Sequence, residues 1–187
     1  MPGLRKVVDW AITLAVATAF VLVFEAEVAK PYRIPSSSME PTLHCAKPGA
    51  WCEGRFSDRV IANRLAYRFS NPKRGQIVVF KAPAAAAGAC GEGGIFVKRL
   101  IGLPGETVSE RAGVISIDGK PLSENYVLGP RQDATVGSWR VPKDHYFFAG
   151  DDRAHSCDSR TWGSVPRNNL IGPLLLTYWP PSRLSLH

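Results

Sequence analysis

Hydrophobic positions along the chain fall into one long run followed by many short ones. The long run is Val7 to Phe24, apolar except for Asp9 and two threonines. As a helix, 18 residues span ~27 Å, close to the ~30 Å hydrocarbon core of a bilayer. Asp9 falls in the first turn, where a helix N-terminus and lipid headgroups tolerate a carboxylate. Arg5 and Lys6 precede the run, so the positive-inside tendency places residues 1–6 in the cytoplasm, an anchor over 7–24, and residues 25–187 outside. A cleavable secretory signal shares the charge-then-apolar order. The exit Phe24-Glu25-Ala26-Glu27-Val28-Ala29, however, offers no small-x-small pair clear of bulky or acidic side chains. A buried core helix is the third reading, which the charged flanks disfavour.

After the anchor the apolar runs shorten to strand length. Lys30 to Pro35 reads as extended, Asp58 to Arg64 as a short strand, and Gln76 to Phe80 as a buried strand after the turn Asn71-Pro72-Lys73-Arg74-Gly75. Residues 82–94 are Ala- and Gly-rich and predict a mobile surface loop. Phe96 to Ile101 is an apolar strand interrupted by Lys98 and Arg99, ending in Gly102-Leu103-Pro104-Gly105. Val114 to Ile117 runs into Asp118-Gly119, a two-residue hairpin signal. Residues 124–140 read as polar and irregular. Tyr146 to Ala149 and Leu170 to Trp179 complete the strands, the latter too short to be a second membrane helix. The pattern predicts one mainly β domain and no internal repeat.

Composition agrees with a folded chain: 45% hydrophobic residues exclude wholesale disorder, and 17 glycines with 15 prolines favour short strands over a helical bundle. The net charge of +7 suits nucleic acid or an anionic membrane. Neither zinc-finger spacing nor basic heptads are present, so nucleic acid is not expected as a partner; the bilayer is preferred, with a merely solvated basic surface as the other reading. The four cysteines, Cys45, Cys52, Cys90 and Cys157, contain no C-x-x-C pair, so neither a metal nor any cofactor is expected. Outside the cytoplasm, Cys45 and Cys52 can close a small loop, while Cys90 and Cys157 either form a second bridge or remain thiols.

Two stretches hold candidate chemistry. Pro35-Ser36-Ser37-Ser38-Met39-Glu40-Pro41-Thr42-Leu43 is a serine loop whose hydroxyls either face solvent or supply a nucleophile. A serine hydroxyl is a weak nucleophile until a base takes its proton. The four histidines lie in no triad context, and there is no G-x-S-x-G elbow. Ser70-Asn71-Pro72-Lys73 matches S-x-x-K, but Pro72 makes it a turn and the companion motifs are missing. The remaining base is lysine. At a reference pKa of ~10.4, about one lysine in 2,500 is neutral at pH 7, and lowering that pKa by about 2 requires roughly 3 kcal/mol. Burial disfavours the ammonium. Lys98, between Phe96-Val97 and Leu100-Ile101, is the lysine placed for burial, and strand alternation puts Phe96, Lys98 and Leu100 on one face. A lysine snorkelling to solvent at a strand edge is the commoner arrangement.

Together with Gly150 to Gly163, these stretches resemble the three boxes of bacterial type I signal peptidases, membrane-bound Ser/Lys endopeptidases. The likeness runs in order over about residues 30–180. The resemblance implies Ser38 as nucleophile, Lys98 as general base, and an oxyanion hole from the Ser38 backbone N–H and the Ser36 hydroxyl. Ser156 would hydrogen-bond Lys98 and aim it, while Asp158 and Arg160 would pair and buttress the site; without the resemblance that pair reads as a surface salt bridge. Asp152 and His155 stand where the family often carries asparagine, and Cys157 directly precedes Asp158.

The implied fold is an antiparallel β-sheet core with a smaller β insertion within about 107–145, preceded by one transmembrane helix. The implied substrates are exported preproteins with small-x-small motifs, bound as an added strand by a single-pass plasma-membrane protein acting as a monomer. A pilin-maturing relative would share these boxes. A self-cleaving repressor-type regulator would share the dyad but not the anchor. A membrane-tethered β domain without activity would leave the serines as solvated loop residues.

Overall fold

A computed structural model of the protein describes residues 2–91, 93–127 and 135–187. The long apolar run lies in helix α1 (Pro2–Glu27). Its side chains are described over 6–22 and are exposed, Trp10 at 76% and Phe20 at 69%. A buried core helix is therefore not what these residues form. Among the described residues, no helix is long and apolar enough to cross a membrane.

The remainder is antiparallel β structure. Strands β1 (Ala29–Arg33), β2 (Arg59–Asn63), β3 (Ile77–Lys81) and β4 (Ile95–Gly102) belong to a large sheet. After β4 a smaller sheet forms from β5 (Thr107–Arg111), β6 (Val114–Ile117), β7 (Lys120–Pro121) and β8 (Gly137–Arg140). The chain then returns through β9 (His145–Ala149), β10 (Val165–Pro166), β11 (Leu170–Trp179) and β12 (Ser185–Leu186). The large sheet runs β1-β2-β11-β3-β4-β9-β10, with β12 on β11. The hairpin expected at Asp118-Gly119 joins β6 to β7, with Ile117 opposite Lys120. Both turn residues have positive φ, 48° and 79°, which Asp and Gly accommodate best.

Strand β3 shows why the sheet needs cover on both faces. Ile77 and Val79 join one core with Ile34, Met39, Leu43, Val60 and Leu174. Val78 and Phe80 point the other way, into a second core with Leu100, Tyr146, Phe148 and Trp162. Such double burial turns a period-2 strand into a continuous apolar run. A third core, around Ile101, Val108, Ile115 and Phe147, joins the small sheet to β4 and β9.

Two expectations need correction. Residues 82–94 contain a helix, Ala84–Cys90, that follows the short helix α2 (Ala66–Phe69) and is labelled α3. It docks: Ala86 is fully buried in the second core, and Cys90 is bridged to Cys157. Low complexity hid it, because alanine gives helix propensity without an amphipathic pattern. Residues 124–140 are irregular only in part. Residues 128–134 lie outside those described, but β8 pairs with β5, Trp139 opposite Val108. Both disulfides left open by spacing are formed, Cys45–Cys52 and Cys90–Cys157.

Candidate active site

The serine stretch ends in a one-turn 310 helix, Ser37–Met39, buried throughout. Its neighbours pin it. Met39 and Leu43 sink into the first core at 1% and 0% exposure. The Glu40 carboxylate accepts the backbone N–H groups of Cys45 and Glu53 at 3.0 and 3.1 Å and also meets the His44 ring. The Thr42 hydroxyl donates to Asp151 at 2.6 Å, and Asp152 N–H donates to the Ser38 carbonyl at 3.2 Å. Ser38 is thus held from both flanks, 7% exposed, with its Oγ 3.4 Å from that of Ser36.

Lys98 lies on β4, opposite Val78 of β3, and is 5% exposed. The expected alternation holds: Phe96 and Leu100 both pack into the second core, and the Lys98 ammonium nitrogen stands 5.9 Å from the Phe96 ring centre. The snorkelling arrangement is therefore not adopted. Ser36, Ser38 and Lys98 line one cleft of about 530 Å³. Met39 and Val97 contribute to it from the first core, Phe96 and Cys157 from the second.

The third stretch behaves differently from expectation in one respect. Ser156 does not hydrogen-bond Lys98: its Oγ is buried and has no partner among the described residues. It packs against Gly150 instead, where even a Cβ would overlap both Ser156 Oγ and the Ser38 carbonyl. Asp158 and Arg160 do pair, through Arg160 Nε at 2.8 Å and Nη2 at 2.9 Å, and they are buried, not at the surface, with side chains 0% and 5% exposed. Asp158 also accepts the N–H of Gly150 at 2.9 Å and caps helix α4 (Ser159–Trp162). Arg160 reaches on to the Arg153 carbonyl at 2.7 Å. The pair therefore fixes the backbone that packs against the Ser38 carbonyl. Neither residue lines the cleft itself.

Two buried pairs went unread in the sequence. On the other face of β4 from Lys98, Arg99 donates through Nε to Asp151 at 2.8 Å and through Nη1 to the Gly75 carbonyl at 2.8 Å. Asp151 is the residue that also takes the Thr42 hydroxyl, so one carboxylate couples the serine loop to β4. Arg153 pairs with Glu124, both nearly inaccessible. Nearby, burial and the Glu124 carboxylate push the Tyr126 phenol above its ordinary pKa. Period-2 alternation around Arg99 was the one available signal for the first pair. His155, which lines the cleft, stacks on Trp51 at 4.1 Å and bonds Asp152 at 2.9 Å.

Replacing Asp151 by alanine should cost about 3–5 kcal/mol, because Arg99 would be left buried and unpaired. Urea denaturation of the variant checks this, and a midpoint close to that of the parent protein would show the pair to be dispensable.

Comparison with known proteins matches the same span. The family model described as signal peptidase, peptidase S26 matches residues 7–179. A probable signal peptidase I-2 of Synechocystis sp. is 39% identical over 93% of this chain and 74% of its own length. The signal peptidase I of Leptolyngbya laminosa is 39% identical over 92% and 80%. That of Mycobacterium tuberculosis is 31% identical over 94% and 73%. With the three stretches in order, one cleft holding a buried serine and a buried lysine, and a family match over nearly its whole length, the chain belongs to the signal peptidase (peptidase S26) family and is a hydrolase, a serine endopeptidase.

Proposed function

We propose that this protein removes N-terminal signal peptides from exported preproteins, cutting after a small-x-small motif, with Ser38 and Lys98 as its catalytic dyad. The observation that carries the reading is that Ser38 and Lys98, each less than a tenth exposed, line one cleft. Neutral Lys98 takes the Ser38 hydroxyl proton as Oγ attacks the scissile carbonyl. The Ser38 backbone N–H and the Ser36 hydroxyl donate to the resulting oxyanion; such donors are worth about 3–4 kcal/mol each. The new Lys98 ammonium protonates the leaving amine, and water, deprotonated by the same lysine, hydrolyses the acyl-serine. Asp158 and Arg160 act as positioning residues through Gly150. Ser156, with no hydrogen-bond partner among the described residues, offers a hydroxyl beside this machinery.

Strand β1 is the edge of the large sheet, and Tyr32, Arg33 and Ile34 at its end line the cleft. An extended substrate can add beside them, its backbone pairing and its alternate side chains entering the apolar lining. The exposed apolar surface of α1 supports tethering to a bilayer, with residues 1–6 cytoplasmic and the β domain outside. Ser38 would then work close to the membrane, about where a signal peptide emerges from it.

The test is direct. Full-length protein in lipid vesicles is incubated with a preprotein carrying an Ala-x-Ala site, and the product N-terminus is sequenced. Cleavage after the second alanine is expected. Failure to cut any of several such preproteins, by protein shown to be folded, would reject the assignment.

A further inference from the structure

The 310 turn that carries Ser38 sends out two arms, and they meet again at one aromatic stack. The first arm starts at Glu40. Its carboxylate accepts the N–H groups of Cys45 and Glu53, at 3.0 and 3.1 Å, and so grips both ends of the ring that the Cys45–Cys52 disulfide closes. The ring is tight: a Cβ on Gly49 would stand 2.6 Å from the Cys52 sulfur. Within it sits Trp51, 67% exposed, with φ at 61°. A bulky side chain in the left-handed region is rare, and the conformation persists only where its surroundings impose it.

The second arm starts at Ser38 itself, whose carbonyl accepts the N–H of Asp152 at 3.2 Å. The Asp152 carboxylate in turn accepts the backbone N–H of His155 at 3.3 Å and meets its ring Nδ1 at 2.9 Å. The His155 ring, part of the cleft wall, then lies against Trp51, with centres 4.1 Å apart and planes 18° from parallel. The contacts close a circuit that runs from Ser38 through Glu40, the disulfide ring, Trp51, His155 and Asp152 back to the Ser38 carbonyl.

We infer that Trp51 is a positioning residue for Ser38: its stack on His155 steadies Asp152, and through the Asp152 N–H the Ser38 carbonyl. A catalytic group displaced by about 1 Å can lose about 10²-fold in rate, so a restraint on the nucleophile's own peptide bears on kcat. The stacked pair bounds the effect at about 3- to 10-fold. Because the Cys45–Cys52 bridge closes the ring, it supplies the same brace from further back. The effect on turnover rests on the catalytic reading of Ser38; the brace itself does not.

Two measurements test the brace. Full-length Trp51→Ala in lipid vesicles is compared with the parent protein on a preprotein carrying an Ala-x-Ala site. A fall in kcat of about 3- to 10-fold is expected with KM unchanged, and Trp51→Phe, which keeps a ring, should restore most of it. In a His155→Ala background Trp51→Ala should have no further effect, because its partner is already gone. Phe69→Ala, which removes an aromatic ring 86% exposed elsewhere, should match the parent protein. The second measurement needs no turnover. Exchange of the Asp152 amide hydrogen, followed by NMR in detergent micelles, should quicken about 3- to 10-fold in Trp51→Ala and in C45A/C52A. If the latter does not fold, Trp51→Ala carries the test. A parent protein that cuts no preprotein rejects the catalytic reading, and the exchange rates then decide the brace by themselves. A rise in KM with kcat unchanged, additive losses in the double variant, or Asp152 exchange at the parent rate in Trp51→Ala overturns the inference.

Discussion

Ser38→Ala should lower kcat by about 10⁶-fold while leaving the protein folded. The loss follows from the chemistry: no other group in the proposed mechanism can form the acyl intermediate, so what survives is the background from binding and the oxyanion donors. The fold should tolerate the change, because the 310 turn is held by Met39, Leu43, Glu40 and the Asp152 N–H contact, not by the Ser38 hydroxyl. A preprotein cleavage assay read beside a thermal melt separates the two effects. An alanine variant that still cuts would remove Ser38 from the reaction.

Lys98→Arg should also be damaging, by about 10²–10⁴-fold, although the positive charge is kept. Arginine does not give up its proton in this pH range, so it cannot serve as base. Two of the influences on Lys98 oppose each other. The Phe96 ring, 5.9 Å away, favours an ammonium by about 1 kcal/mol. Burial of a charge costs several kcal/mol and wins. The limb of the parent enzyme's pH–rate profile on which the rate rises as Lys98 loses its proton should therefore lie well below the ~10.4 of a free lysine. A limb at that reference value, or a Lys98→Arg variant with substantial turnover, would show the amine to be a structural charge.

How far the sequence can be read depends on whether a residue's partner is local. The β3 strand was legible because Ile77 to Phe80 need no knowledge of anything beyond their own apolar run. Lys98 was legible because a cation inside such a run has to be either buried or strained outward. Asp118-Gly119 declared its hairpin through backbone preference alone. Helix α3 was not legible: its alanines carry no face, and what docks it is Ala86 in a distant core and Cys90 on a cysteine 67 positions away. Strand β8 was missed because Gly137 to Arg140 become a strand only by pairing with β5. The expected Ser156–Lys98 hydrogen bond came from resemblance and depended on a side-chain rotamer that no pattern encodes. Arg153 and Glu124, 29 residues apart, gave no local signal of being partners.

Strand order has a consequence for synthesis. Strand β11, made after β3, β4 and β9, lies between β2 and β3 in the middle of the large sheet. A nascent chain still lacking Leu170–Trp179 holds two separated halves, with β1 and β2 on one side and β3, β4 and β9 on the other. Non-local pairing of this kind is slow and late. The Ser38 loop shares its core with Leu174 through Met39 and Leu43, so that loop lacks its full support until β11 has been made. A half-made protease of this design is unarmed, and premature stop codons before β11 should yield inert fragments.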